Sequence, residues 1–309
     1  MKLAFLYAGQ GTQHVGMGKD LYEAYPAFRS VLDGVKLDFD LKRLCFEGPQ
    51  ETLTLTQYTQ PCMVAFAAGL TAVLYEKGIR PAMAAGLSLG EYSALCVAGV
   101  LTPEQAVELV AFRGKAMAEA VQDRPSAMAA VLMLGREELQ KCCDAASHLG
   151  VAEIANLNCP GQIVIGGDAA AVEEAGRLAK EAGAKRAHCP MKVSGPFHTS
   201  LMAPPEPLWP QRFRSAWTCG PMQFPSSFIM QGRRAGGGRH HPRAAGQAGP
   251  EQRPHGGHHP QYGRPRGGHH PGDRPRQGPM SGFVKKTDKS ITTYAVETVE
   301  DLEAAVAAL

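Results

Sequence analysis

The chain has 309 residues, 44% of them hydrophobic and 20% charged, enough for one large domain or two smaller ones, and no apolar run is long enough to span a bilayer. Its eight cysteines form no Cys-x-x-Cys pair, which argues against a disulfide framework and for a cytoplasmic protein with free thiols. The formal charge of +3 is local in origin: residues 204–279 carry eleven arginines, three acidic residues and no lysine, while the rest is net acidic, so the balance does not make this a nucleic-acid-binding protein.

Residues 2–7 read as a buried first strand rather than a targeting segment, because Gly9-Gln10-Gly11 cuts the apolar run short. Met63, Phe66, Ala67, Leu70 and Leu74 recur at helical spacing and predict a helix over 61–76. Residues 81–85 are short and apolar, as a buried strand requires, and 91–98 open a buried helix. Thr102-Pro103-Glu104-Gln105 supplies an N-cap, a proline at the first helical position and a capping-box glutamine. That helix runs to about Val121 on an apolar stripe of Val107, Val110, Ala111, Gly114, Met117, Ala118 and Val121.

Residues 124–193 read as an inserted unit. A strand at 127–134 and a helix at 136–146 precede strands at 151–158 and 162–165, joined by Cys159-Pro160-Gly161. A helix at 168–182 and a strand at 185–188 follow, giving the β-α-β-β-α-β order of a ferredoxin-like subdomain. A turn and a helix start occupy 194–203. From 231 to 279 there is no Val, Ile, Leu, Phe or Met, so this stretch cannot offset chain entropy by burial and is expected to be disordered in isolation. Residues 291–296 predict a strand, and Thr298 starts a terminal helix. The fold class is α/β: a large α/β-hydrolase-like domain with a parallel sheet, from 1–123 and 194–309, interrupted by the subdomain at 124–193.

Gly86-Leu87-Ser88-Leu89-Gly90 lies between the strand and the helix. A serine on such a turn presents its hydroxyl above a helix N-terminus, with the following N–H, that of Leu89, pointing where an oxyanion would form. A plain strand–helix turn with a buried serine fits the pentapeptide as well. Seven of the eleven histidines fall within 204–279, leaving His14, His148, His188 and His198 as bases. His198 is the best placed, in a turn of small and rigid residues.

Four ordered stretches carry a resemblance: Gly9-Gln10-Gly11-Thr12-Gln13, the Ser88 turn with Glu91-Tyr92-Ser93-Ala94-Leu95, Asn156-Leu157-Asn158-Cys159-Pro160-Gly161-Gln162, and Gly195-Pro196-Phe197-His198-Thr199-Ser200-Leu201-Met202. Together they resemble the malonyl-CoA:acyl carrier protein transacylases of fatty acid synthesis, over 1–203 and again from about 281. The resemblance implies Ser88 as nucleophile, His198 as base, and the N–H groups of Gln10 and Leu89 as oxyanion hole. It implies Arg113, Phe197 and Asn158 as substrate-binding residues, with Arg113 on the malonyl carboxylate. Arg113 lies off the apolar stripe of its helix, and its fork matches a carboxylate. By analogy with relatives, Leu89 and Phe197 favour malonyl over methylmalonyl. The implied partners are malonyl-CoA, as a substrate, and acyl carrier protein; no cofactor, metal, nucleic acid, membrane or second subunit is expected. A polyketide-type acyltransferase, a serine hydrolase and a binding protein with a basic segment are the other readings.

The chain departs from the family at Ala8, usually proline, at Leu87, usually histidine, and above all over 204–279. Relatives carry ordinary α/β sequence there, including a glutamine that orients the histidine. The stretch here has the composition of GC-rich coding sequence read out of frame; a natural disordered insert is the alternative. In either case weak support for His198 is expected, and with it low stability and little transacylase activity.

Overall fold

The computed structural model describes residues 2–120, 124–188, 195–202, 226–228 and 279–309. Val121, and the stretch 204–278 apart from 226–228, lie outside the described residues. The first layer is a parallel sheet of β1 (Ala4–Tyr7), β2 (Met83–Gly86) and β7 (Ser226–Phe228), in the order β1-β2-β7. Its registers are Tyr7 opposite Gly86 and Gly86 opposite Phe228. The third strand precedes the stretch 231–279 that the sequence predicts to be disordered. It falls in the apolar run that precedes the Gly- and Pro-rich part of that stretch.

Helices pack around this sheet: α1 (Lys19–Ala24), α2 (Pro26–Gly34), α3 (Leu41–Glu47), α4 (Gln50–Thr54), α5 (Thr56–Glu76), α6 (Gly90–Val97) and α7 (Pro103–Ala120). The helix expected from position 61 begins a turn earlier, at Thr56, with Pro61 inside it. Its mean face is apolar, and Phe28 of α2 is fully buried against it. The Phe28 ring fills a notch at Gly69, where an added Cβ would lie 2.8 Å from Cδ2. The predicted cap of α7 is present: the Thr102 N–H donates to Gln105 Oε1 at 2.9 Å, and the Gln105 N–H to Thr102 Oγ1 at 3.2 Å.

Between 124 and 188 the chain forms β3 (Ser126–Leu132), α8 (Arg136–Ala146), β4 (Ala152–Cys159), β5 (Gln162–Asp168), α9 (Ala169–Glu181) and β6 (Arg186–His188). The sheet is antiparallel, in the order β4-β5-β3-β6. Alternation sorts its side chains. Ala127, Ala129, Val131, Ile163 and Ile165 pack on Leu139, Cys143, Val172 and Ala175 of the two helices, whereas Met128, Val164 and Ala155 face the other way, onto Phe197.

One carboxylate joins three strand ends. Arg124 Nε donates to Asp168 Oδ1 at 2.7 Å, Nη2 to Oδ2 at 2.9 Å, and the Val151 N–H to Oδ2 at 2.8 Å. The Arg124 hydrogen bonds, helped by the Val151 N–H, hold the Asp168 carboxyl below the ordinary carboxylate range. A depressed folded-state pKa gives stability that is present above the unfolded value and lost as pH falls through the folded one. Asp168→Asn is therefore expected to lower the neutral-pH melting temperature by a few degrees, with the difference shrinking in acid below the usual aspartate pKa. Melts followed by circular dichroism across pH check this.

The C-terminal part returns as α10 (Pro279–Thr287) and α11 (Val299–Ala308). Thr298 caps α11 in a reciprocal box with Asp301, and Leu302 is buried in the main core. The strand expected at 291–296 is not formed: these residues pair with no described strand, and Ile291 and Tyr294 are 51% and 44% exposed. A β-branched run becomes a strand only where a sheet edge accepts it. The helix start expected within 194–203 is instead a single 3-10 turn, Ser200–Met202. No helix among the described residues is long and apolar enough to cross a membrane.

Candidate active site

The Ser88 turn is built by close backbone contact. β2 ends at Gly86, yet the Leu87 N–H still donates to the Tyr7 carbonyl at 3.0 Å, so the sheet leads directly into the turn. The N–H groups of Gly90, Glu91 and Tyr92 then donate to the carbonyls of Leu87, Ser88 and Leu89 at 3.0–3.2 Å, so α6 starts at once. Ser88 is left at φ 52°, a conformation that side chains rarely adopt and that is found at sites where the surroundings enforce it. The two glycines are what permit this. An added Cβ would lie 1.9 Å from the Gly90 carbonyl carbon at Gly86, and 2.2 Å from the Tyr7 oxygen at Gly90. Neither neighbour is a movable side chain. Gly86→Ala is expected to cost about 3 kcal/mol or more in urea unfolding. Gly282→Ala, where no atom lies within 4 Å of the added Cβ, serves as the tolerant control.

His198 also reaches Ser88. Its Nε2 lies 2.8 Å from Ser88 Oγ, and its φ is 64°. The loop is held on both flanks. Phe197 is 8% exposed among Met128, Ala155 and Val164. Thr199 Oγ1 donates to the Pro196 carbonyl at 2.6 Å. Glu153 of β4 accepts from both the Ser200 N–H and Oγ at 2.7 Å. The subdomain sheet thus supplies the floor on which the histidine loop rests.

Arg113 extends from α7 as the third member. Its Nη2 donates to Ser88 Oγ at 3.0 Å and its Nη1 to Gln60 Oε1 at 2.8 Å. Gln60 is 1% exposed, and its Nε2 donates to Met117 Sδ at 3.4 Å. The guanidinium carbon also lies 5.5 Å from the centre of the Tyr92 ring. Burial pushes the Tyr92 phenol up against the opposing pull of Arg113, so the ring stays neutral and offers its π face to the cation.

Gln10 lies in the turn after β1. Its Nε2 donates to Thr56 Oγ1 at 3.0 Å. An added Cβ at neighbouring Gly9 would lie 2.9 Å from the Leu87 oxygen, so this turn presses on the Ser88 turn. Leu89 is 1% exposed, in the main core. Asn158 is buried in β4 at 3% exposure and shares no hydrogen bond with Ser88, His198 or Arg113 among the described residues. Among those residues no group of three metal-ligating side chains gathers.

Sequence reasoning missed Thr56, Gln60, Tyr92 and Glu153. For Gln60 there was a signal: a polar side chain beside Pro61 at the head of an apolar helix. The arrangement offers a nucleophile, a base in contact with it and a fixed cation beside both. That set suits acyl transfer from a substrate that carries a negative charge.

Residues 4–207 match the acyl transferase domain family. Over 206 residues, 66% of this chain, it is 49% identical to the malonyl CoA-acyl carrier protein transacylase of Bacillus subtilis, and 44% identical to that of Escherichia coli K12. The match spans just under two thirds of those relatives, 65% and 66% of their lengths. Among solved structures, MCAT from Streptococcus pneumoniae aligns over 100% of both chains at 35% identity and a TM-score of 0.82. A malonyl-transacylase in complex with its type II PKS acyl-carrier protein aligns over 100% of both at 30% identity and a TM-score of 0.82. The chain belongs to the acyl transferase domain family.

Proposed function

We propose that this protein transfers a malonyl group from malonyl-CoA to the phosphopantetheine thiol of an acyl carrier protein, through a malonyl ester on Ser88. The observation that carries this reading is the convergence of His198 Nε2 and Arg113 Nη2 on Ser88 Oγ, at 2.8 and 3.0 Å. A hydrolase has little use for a cation fixed at its nucleophile; a malonyl thioester carries a carboxylate that needs one.

The malonyl carboxylate takes the Arg113 fork in place of Ser88 Oγ, which frees the hydroxyl. Ser88 Oγ attacks the thioester carbonyl carbon while His198 Nε2 takes its proton. The oxyanion accepts from the N–H groups of Leu89 and Gln10. The tetrahedral intermediate collapses, the C–S bond breaks, and His198 returns the proton to the coenzyme A sulfur. In the second half the carrier thiol gives its proton to His198 and attacks the ester. The C–O bond breaks, and Ser88 Oγ recovers the proton. The site has no use for a cofactor in this sequence.

Both fatty acid and polyketide carriers present this thiol, and the likeness to a transacylase solved with a type II PKS carrier favours testing both kinds. The decisive experiment incubates the purified chain with radiolabelled malonyl-CoA and then with carrier protein. Labelling that chases onto the carrier is expected. A chain that takes up no label, or releases it only to water, overturns the reading. The low activity expected from the unfamiliar sequence at 204–279 is decided by the same rates. The protein is proposed to work as a cytoplasmic monomer.

A further inference from the structure

The carboxylate-binding arginine and the oxyanion turn come from different parts of the chain, yet one face of α5 grips both. Thr56 and Gln60 are one helical turn apart and share that face. Gln60 Oε1 accepts from Arg113, and Thr56 Oγ1 accepts from Gln10. Both are nearly fully buried, at 2% and 1% exposure. The helix cannot shift independently of α7, because Gly114, next to Arg113, packs directly on it. A Cβ there would lie 2.7 Å from the Thr56 carbonyl oxygen and 2.9 Å from Gln57 Cα.

The turn that holds Gln10 has fewer constraints. It lies between β1 and α1, and its neighbour Gly11 sits at φ 116°. It is pressed on one side by the contact of Gly9 with the Leu87 oxygen and tied within itself by the Gly11 N–H to Gln13 Oε1 at 2.7 Å. The Gln10–Thr56 hydrogen bond ties Gln10 itself to α5, while Gln50 of α4 holds Gln13 and Val15 further along the same connection.

We infer that Thr56 is a positioning residue for the acyl-transfer step: by holding the Gln10 side chain it aims the Gln10 backbone N–H at the oxyanion. The inference rests on the transacylase reading above. An oxyanion donor acts on charge that develops only in the transition state, whereas Arg113 holds the carboxylate already in the ground state. Thr56 therefore governs the rate of Ser88 acylation and not the affinity for malonyl-CoA.

Single-turnover labelling of the full chain with malonyl-CoA separates the two quantities. Thr56→Val keeps the side-chain shape and removes the acceptor; it is expected to slow acylation about tenfold, the equivalent of one neutral hydrogen bond, with the half-saturating concentration unchanged. Thr56→Ser, which keeps the hydroxyl, is expected to retain the parent rate within about twofold. Gln10→Met keeps the backbone N–H and leaves α5 untouched; it is expected to match Thr56→Val, and the double variant to be no slower than either single one. A parent-like rate for Thr56→Val, a raised half-saturation at unchanged rate, an equal loss in Thr56→Ser, or additive losses in the double variant would each overturn the inference. Absence of labelling in the parent chain overturns the transacylase reading instead.

Discussion

Ser88→Ala is expected to take up no malonyl label and to lose transfer to carrier protein by about 10⁴-fold or more. The size of the loss follows from how the site is wired. His198 Nε2 and Arg113 Nη2 both meet Ser88 Oγ, so the hydroxyl is the point at which base and clamp act together. On the proposed reading, removing it leaves the Arg113 carboxylate contact without a covalent route. Malonyl-CoA is still expected to bind the variant, because the Gln60–Arg113 contact does not pass through the serine. Folding should survive, since the turn is set by Gly86, Gly90 and the Leu87 N–H rather than by the hydroxyl. Three measurements check the case together: label uptake, malonyl-CoA binding by calorimetry and a thermal melt. Retained labelling in the variant would place the acyl acceptor on another residue.

The parts of this site that were legible in the sequence are those that impose local geometry. Gly86 and Gly90 stand where a Cβ would enter a neighbouring backbone, and that requirement leaves a pattern within five residues. The same holds for the α7 cap at Thr102 and Gln105, and for the period-two alternation of Ala127, Ala129 and Val131. Arg113 was nameable only through resemblance; its spacing alone fits a solvated surface arginine equally well. What was missed is what arrives from far along the chain. Gln60 meets Arg113 across 53 positions, and Gln10 meets Thr56 across 46, with nothing in either local sequence to say which partner the fold would bring. None of the helices between 19 and 54, which run five to nine residues, is among the elements expected from the sequence. The strand misread at 291–296 is the converse case: good local propensity, but no sheet edge to receive it. β7 shows that partner availability works in both directions, since Ser226–Phe228 is short and polar at two of its three positions, yet the free edge of β2 accepts it.

Arg113→Ala is expected to lower kcat/KM for malonyl-CoA by about 10²–10³-fold, as the loss of one charge-assisted, two-pronged contact in a partly buried site requires. Three partners fix the guanidinium before substrate arrives: Gln60 at one Nη, Ser88 at the other, and the Tyr92 ring beside its plane. A pre-ordered fork loses little further entropy on binding, so most of the contact energy reaches the complex. The incoming carboxylate exchanges with Ser88 Oγ, which makes clamp engagement and release of the nucleophile one event. The same exchange predicts selectivity. An acetyl thioester has no carboxylate to displace Ser88 from Arg113, so the parent chain should leave its nucleophile engaged and acetylate slowly. In Arg113→Ala the hydroxyl keeps His198 alone and is no longer engaged by the guanidinium, and acetyl-CoA should become the better substrate. Competing malonyl-CoA against acetyl-CoA on both proteins, with the acyl-serine identified by mass, measures the ratio directly. A parallel fall for both thioesters would mean that Arg113 holds the Ser88 turn in place rather than reading the carboxylate.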